Sequence, residues 1–261
     1  MSVLSNGYQL GGLVGSKPDV EFSVKYLLIG GGVNGSTTSP GPVNAGGAGQ
    51  YISHVPGESN GGGGSAAAAR TFLATSISTP TYSVTVGASA SASTFSGTEN
   101  DGTAFNQTAA TGSGKQSGDG YDGGSANMPS NQCTKVNFYA DSFCASAYTG
   151  GGGGASAIGS NQNGGAGVQS SITGTATYYA GGGASTTYDG NTSGTGGSGH
   201  TNFGGGGSGA AGQPGALILR YPNTVTISNP GGGLTLSTAA DGSDSVTTIT
   251  AGTGNIKFEP A

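Results

Sequence analysis

Charged side chains are scarce in this sequence. They make up 7% of its 261 residues, against roughly a quarter in ordinary globular domains. Only 7 residues are Lys or Arg, and none lies between Lys135 and Arg220, so no basic stripe is available for nucleic acid. No apolar run approaches the roughly 20 residues of a membrane-spanning helix. Residues 1–15 lack the basic start and the apolar stretch of a signal peptide, and we expect none.

Cysteine is nearly absent too. Cys133 and Cys144 are the only two, and they are either unpaired thiols or one disulfide that closes a small loop and contributes about 2–3 kcal/mol. No further Cys or His stands at ligand spacing, which argues against a zinc site. We expect no cofactor.

Histidine is just as rare. His54 and His200 are the only histidines, and each stands among Gly, Ser and Asn. A catalytic triad needs a nucleophile and a base oriented on a rigid scaffold. Neither neighbourhood suggests one, so we expect surface or loop histidines and a protein that is not an enzyme.

Glycine is abundant instead, with 57 residues. Runs of it recur at 30–32, 61–64, 150–154, 181–183 and 204–207. Ordering so much glycine costs backbone entropy. Polyproline-II segments without side chains can offset that cost, because they pack closely enough for backbone hydrogen bonds and Cα–H···O contacts between neighbours. The runs therefore predict a bundle of polyglycine-II segments, with the glycine-poor segments as loops at its ends.

Short apolar or alternating segments bounded by turn residues predict strands. They are 22–29, 71–78, 82–86, 135–140, 170–180 and 216–221. In the tail, the segments TVTIS, LTLS, VTTIT and NIKF alternate and are separated by NPGGG, AADGSD and AGTGN, which predict turns of an antiparallel sheet. The alanine-rich segment 65–73 is too short for a stable helix, and we expect strand or coil there.

These patterns predict a mainly β protein. An extended arm at 1–21 precedes a glycine-rich domain with polyglycine-II and β elements at 22–221. A C-terminal antiparallel β module follows at 222–261.

Two motifs imitate binding sites. Gly30, Gly32 and Gly35 follow a strand with dinucleotide-binding spacing, but the prolines after them exclude the helix whose N-terminus would hold the pyrophosphate. Two Gly/Asp segments faintly resemble calcium turns, although turn chemistry alone explains their residues. The aspartates are Asp119, Asp122, Asp241 and Asp244.

Several segments together resemble the glycine-rich tail-fibre and appendage proteins of tailed bacteriophages, of the cyanophage and marine phage type. They are YLLIGGG at 26–32, YSVTVGA at 82–88, SSITGTATYYAGGG at 170–183, GGGG at 204–207 and GALILRY at 215–221. The tail 233–258 is similar to a β module found behind such domains. A partial similarity extends to phage adhesins built as polyglycine sandwiches. The glycine runs here are shorter, so a mixed β and polyglycine fold is expected.

The resemblance implies a virion structural protein, a tail fibre or adhesin component that contacts the host surface. The arm 1–21 would dock it to the particle. Its partners would be other virion proteins and a host surface glycan or outer-membrane protein, and it would form a homo-oligomer, a trimer by analogy. The alternatives are a capsid decoration or capsid-fibre protein, an ice-binding polyglycine protein and, last, a polysaccharide-degrading fibre enzyme, which would need paired acids in a cleft.

Aromatic residues in or beside glycine-rich loops are the candidates for receptor contact, because tyrosine offers a rigid amphipathic face. For Tyr178 and Tyr179 we expect core packing instead. For Tyr121 and Tyr188 core packing and receptor contact are equally supported. The candidate contact residues are Tyr121, Tyr139, Tyr148, Tyr188 and Phe203.

Overall fold

The computed structural model describes residues 17–37, 43–75, 81–113, 135–138, 141–144, 150–185 and 194–261. Its strands in chain order are β1 Val20–Ile29, β2 Ser36–Thr37, β3 Val43–Asn44, β4 Tyr51–Ser53, β5 Arg70–Ala74, β6 Tyr82–Val86, β7 Ser93–Thr98, β8 Ala104–Ala109, β9 Lys135–Phe138, β10 Asp141–Cys144, β11 Val168–Ser170, β12 Thr177–Tyr179, β13 Ala216–Pro222, β14 Val225–Ser228, β15 Leu234–Asp241 and β16 Asp244–Pro260. In this part of the chain the one helical turn is a 3₁₀ turn, Gly61–Gly63.

Ten of these strands form one antiparallel sheet, ordered β4-β1-β13-β16-β6-β7-β8. β5 also pairs with β1, and β14 and β15 also pair with β16. The remaining described strands form three hairpins, β2–β3, β9–β10 and β11–β12. The expected mainly β class is confirmed.

The second half of β1, residues 26–29, and most of β13 are buried on both faces. Tyr26 pairs with Leu219 and Leu28 with Leu217, and alternate residues of a strand point to opposite faces. One face contributes to an aromatic core and the other to a second core beside the glycine segments. Burial on both faces explains the near-continuous apolar runs in the two strands.

The aromatic core is arranged around Phe72 of β5, whose side chain is fully buried. Its ring lies 5.7 Å from the ring of Phe105 and 5.7 Å from that of Phe258, measured between centroids. The N–H of Thr75 donates to the carbonyl of Phe258 at 3.2 Å. This bond brings the β5 edge against the end of β16, so the sheet almost closes around the core.

Beside the second core the glycine segments pack as a bundle, which we define as residues 30–33, 45–50, 150–155, 164–167, 181–185 and 204–207. Backbone hydrogen bonds link segment to segment. Gly152 N–H donates to Gly183 O at 2.9 Å, Gly183 N–H to Gly46 O at 3.0 Å, Gly46 N–H to Gly207 O at 2.8 Å, and Gly207 N–H to Val33 O at 2.9 Å. The predicted lateral bonding is therefore present between the glycine runs 30–32, 150–154, 181–183 and 204–207. The polyglycine-II prediction was wrong for the run 61–64, because Gly61–Gly63 form a 3₁₀ turn without buried residues.

Successive amides in one segment donate hydrogen bonds to different neighbouring segments. The N–H groups of 30–32 donate in turn to the carbonyls of Gln50, Ser91 and Gln213, at 2.8–2.9 Å. A β-strand would alternate between two directions, whereas a helix with three residues per turn distributes its amides in three. This pattern is the polyglycine-II geometry expected from the sequence.

Glycines at the contacts within the bundle leave no room for a side chain. A Cβ on Gly152 would overlap the carbonyl oxygen of Gly46, and one on Gly182 would overlap that of Gly152. The Cα of each of these two glycines thus faces a neighbouring carbonyl oxygen, as in Cα–H···O contacts. Close backbone approach explains why these segments contain glycine.

The tail 222–261 shares the sheet of the glycine-rich segment. Residues 244–249 of β16 lie between β13 and β15, and residues 252–256 pair with β6. The predicted turn at AGTGN was wrong, because β16 continues through these residues. A register shift opposite Thr235 and a φ of +100° at Gly252 form a bulge that bends the strand without reversing it.

The other predicted strands agree with the structure to different degrees. Segments 22–29 and 216–221 fall inside β1 and β13, and 82–86 coincides with β6. The predicted single strand 170–180 was wrong. The segment contains the end of β11, a turn and β12. The chain reverses at the turn, where Gly174 has a φ of +82° and its N–H donates to Ser171 O.

Candidate functional site

A tight turn places the first residue of the candidate site. Glu58 N–H donates to Val55 O at 3.1 Å, across Pro56 and Gly57, and Gly57 has a φ of +87°. Proline followed by a glycine with positive φ is the composition of a type II turn. The turn directs Glu58 towards the β11–β12 hairpin, where its Oε1 accepts the N–H of Ser171 at 2.8 Å.

The β11–β12 hairpin places the second residue. Gln169 pairs with Tyr178 across the two strands, so both side chains lie on one face, and both are exposed. The neighbour Tyr179 points the other way and is buried. The amide of Asn202 donates to the carbonyl of Tyr178 at 2.6 Å, which fixes the backbone beneath the exposed ring.

Between the turn and the hairpin lies a groove of about 400 Å³, which we call the Tyr178 groove. Its lining residues are Gly57, Glu58, Ser59, Ser156, Gly167, Val168, Gln169, Ser170, Ser171 and Tyr178. The lining offers hydroxyls, one amide, one carboxylate and one aromatic ring, with no cationic side chain. Ligand sites of this size combine a few such polar groups with aromatic surface.

Buried phenols pack near Glu58. The rings of Tyr51 and Tyr179 are stacked with centroids 6.5 Å apart. Burial raises the pKa of both phenols, and the negative charge of Glu58 raises them further. Both phenols are therefore neutral at physiological pH, and Glu58 supplies the negative charge of this region.

A second groove of about 280 Å³ contains Phe203, a half-buried residue that also packs against the second core. Its other lining residues are Thr177, Tyr179, Thr201, Asn202, Gln213 and Pro214. Because Thr177 and Tyr179 belong to β12, the two grooves flank the same hairpin.

A charged clamp holds the tip of this hairpin. Arg220 donates from its Nε to Asp244 at 2.7 Å, from a terminal nitrogen to Asp241 at 2.6 Å, and from that nitrogen to Ile172 O at 3.1 Å. Both aspartates thus pair with a guanidinium. Among the described residues, no group of three or more His, Cys, Asp and Glu lies close enough to hold a metal ion.

The sequence candidates have different outcomes. Phe203 lines a groove, as described. The disulfide stays a prediction, since Cys133 lies outside the described residues and Cys144 ends β10, of which only the backbone is described. Four further candidates fall outside the described residues, and their receptor contacts stay predictions: Tyr121, Tyr139, Tyr148 and Tyr188. Asp119 and Asp122 also lie outside.

The expectation of a surface or loop position for His54 was confirmed, whereas the expectation of core packing for Tyr178 was wrong. His54 follows β4 in a loop, as expected, but it is only 7% exposed. Its ring stacks on Tyr26 with centroids 4.3 Å apart, and its Nδ1 lies 2.7 Å from Ala68 O. Tyr178 is 40% exposed and outside the core, whereas Tyr179 is buried as predicted.

Glu58 and Tyr178 were missed as site residues, although signals for both exist in the sequence. Adjacent residues of a strand point to opposite faces, so Tyr178 and Tyr179 cannot both be buried in the same core. The Pro56-Gly57 pair predicts a turn and hence an exposed loop around Glu58.

Comparison with known proteins adds no relative. No family model, no curated protein and no solved structure matches this chain. No helix in the described ranges is long and apolar enough to cross a membrane.

Proposed function

We propose that this chain is a structural protein of a bacteriophage virion, a tail fibre or adhesin component whose loops contact the host surface. The proposal rests on the glycine bundle with the two grooves beside it. Backbone bonds connect at least five segments of the bundle, so this body is held by its main chain and resists change of shape. The hairpin between the grooves presents aromatic and polar side chains from that rigid base.

Assembly into a homo-oligomer, three chains by analogy with phage fibres, belongs to the same proposal. The main sheet path ends at β4 on one side and β8 on the other. Unpaired strand edges are the usual templates for pairing with another chain. β4 is covered, since Ala67 N–H donates to Ser53 O and Ser53 is buried. The β8 edge, which carries exposed side chains, is therefore the edge that supports self-association.

The test is immunogold labelling of purified phage particles with an antibody raised against the whole recombinant chain, together with mass spectrometry of the same particles. We expect the chain in the particle spectrum and gold at the tail or fibre tips. Gold over the head would instead indicate a capsid decoration or capsid-fibre protein. Absence from the particle spectrum would refute a virion role altogether.

A further inference from the structure

One carboxylate oxygen of Glu58, a residue that lines the Tyr178 groove, has no hydrogen-bond partner among the described residues. Oε1 of Glu58 accepts the Ser171 N–H, but Oε2 is shielded from solvent and accepts no hydrogen bond from any described residue. A carboxylate has about four acceptor positions. A buried acceptor without a partner costs free energy that an incoming donor recovers. Glu58 lines the groove, so a ligand that donates a hydrogen bond to its carboxylate would recover this free energy.

The same groove presents an aromatic surface at a fixed position. Tyr178 and Ile158 are the only large apolar side chains exposed in the described ranges, and only Tyr178 lines the groove. Its backbone is held by the pairing with Gln169 and by the Asn202 amide. A ring that is ordered before binding loses little entropy on contact with a ligand.

The remaining lining selects the class of ligand. Hydroxyls of Ser59 and Ser171 and the amide of Gln169 offer both donors and acceptors. No Lys, Arg or His lines the groove, and Glu58 repels anions, so phosphate and acidic sugars are disfavoured. A pyranose ring carries an apolar face for Tyr178 and hydroxyl donors for Glu58.

We propose that the Tyr178 groove binds a neutral hexose or N-acetylhexosamine unit of a surface glycan, with the sugar ring over Tyr178 and one hydroxyl donating to the Glu58 carboxylate. The inference deepens the proposed attachment function and rests on it for the source of the glycan. Binding itself is a property of the isolated chain and is tested separately.

The experiment uses saturation-transfer NMR of the purified full chain. The probes are glucose, galactose, mannose, N-acetylglucosamine, N-acetylgalactosamine and their disaccharides, and Kd values follow from titration. We expect at least one neutral sugar to bind with a Kd of about 1 mM or tighter. Tyr178→Ala and Glu58→Gln should each weaken binding about tenfold, the latter because an amide nitrogen replaces an acceptor. Tyr178→Phe keeps the ring face and should stay within about threefold of wild type.

Ile158→Ala is the matched control, because it removes an exposed apolar side chain outside the groove. It should leave Kd within about twofold of wild type. Equal melting temperatures across the variants show that each remains folded. Two results would overturn the inference: no neutral sugar binds, or Tyr178→Ala binds as wild type does.

The outcomes also separate this inference from the proposed function. Gold at the fibre tips without sugar binding would refute the groove inference and leave the virion role intact. Sugar binding by a chain absent from particles would support the groove inference and refute the virion role.

Discussion

Replacing Gly152 by alanine tests the glycine bundle at its centre. The added Cβ would overlap the carbonyl oxygen of Gly46 and lie 2.7 Å from its carbonyl carbon. Backbone atoms cannot rotate away, so the segment has to shift. Gly152 N–H donates to Gly183 O at 2.9 Å and its carbonyl accepts from Gly165 N–H at 2.8 Å, and a shift weakens both bonds.

The expected loss follows from these two bonds. A buried backbone group left without its partner costs about 1–3 kcal/mol. Two such groups, with the lost Cα–H···O contact, predict a decrease of about 3–5 kcal/mol in the free energy of unfolding. For a chain of this size that corresponds to a melting temperature lower by roughly 10 °C.

Gly64→Ala is the matched control. No atom lies within 4 Å of the added Cβ, and Gly64 has an extended backbone with φ −79° and ψ 171°. We expect this variant to lie within about 1 kcal/mol of wild type, on the stabilising side, because alanine restricts the unfolded chain. Calorimetry and urea titration measure both variants. A Gly152→Ala protein as stable as the Gly64→Ala protein would refute the packed bundle.

Three further predictions concern the cores, the clamp and pH. Phe72→Ala should cost about 3–5 kcal/mol in urea titration, while Tyr178→Ala should cost less than about 0.5 kcal/mol; equal losses would contradict the assignment of core and surface. Arg220→Gln should lower the free energy of unfolding by about 1–2 kcal/mol, since the partners of the guanidinium are partly exposed. A wild-type stability that 1 M salt leaves unchanged would argue against the clamp. Burial lowers the pKa of His54 below its ordinary value of 6.5, although the hydrogen bond with the Ala68 carbonyl opposes the shift. The cation of Arg70 lowers this pKa further, and the carboxylate of Glu99 raises it. The unfolded chain therefore binds more protons, so the free energy of unfolding of wild type should decrease as pH falls below about 6.5. His54→Phe should reduce this dependence on pH in urea titrations. An unchanged dependence would contradict the burial of a neutral His54.

The sequence was sufficient for the strands whose pattern is local. Alternation located β6, and apolar runs located β1 and β13. The bundle was also predictable, because repeated glycine runs without side chains have few other ways of burying their backbone. The path of β16 was not, since the Gly252 bulge resembles a turn in sequence and only its pairing with β6 distinguishes the two.

The candidate site was harder to predict because it is assembled from distant segments. Glu58 and Ser171 meet across a sequence separation of 113 residues. The sequence carries local signals for the turn around Pro56 and for the opposite directions of Tyr178 and Tyr179 in the strand. Neither signal predicts that this loop faces this hairpin. The burial of His54 likewise depends on Tyr26, a partner far away in the chain.

The attachment function is tested most directly by adsorption competition. Host cells are incubated with purified wild-type chain or with Tyr178→Ala before phage is added, and the adsorption rate is measured. We expect the wild-type chain to slow adsorption in proportion to its concentration and the equally stable variant to slow it much less. Adsorption unaffected by a saturating concentration of wild-type chain would contradict a role in host attachment.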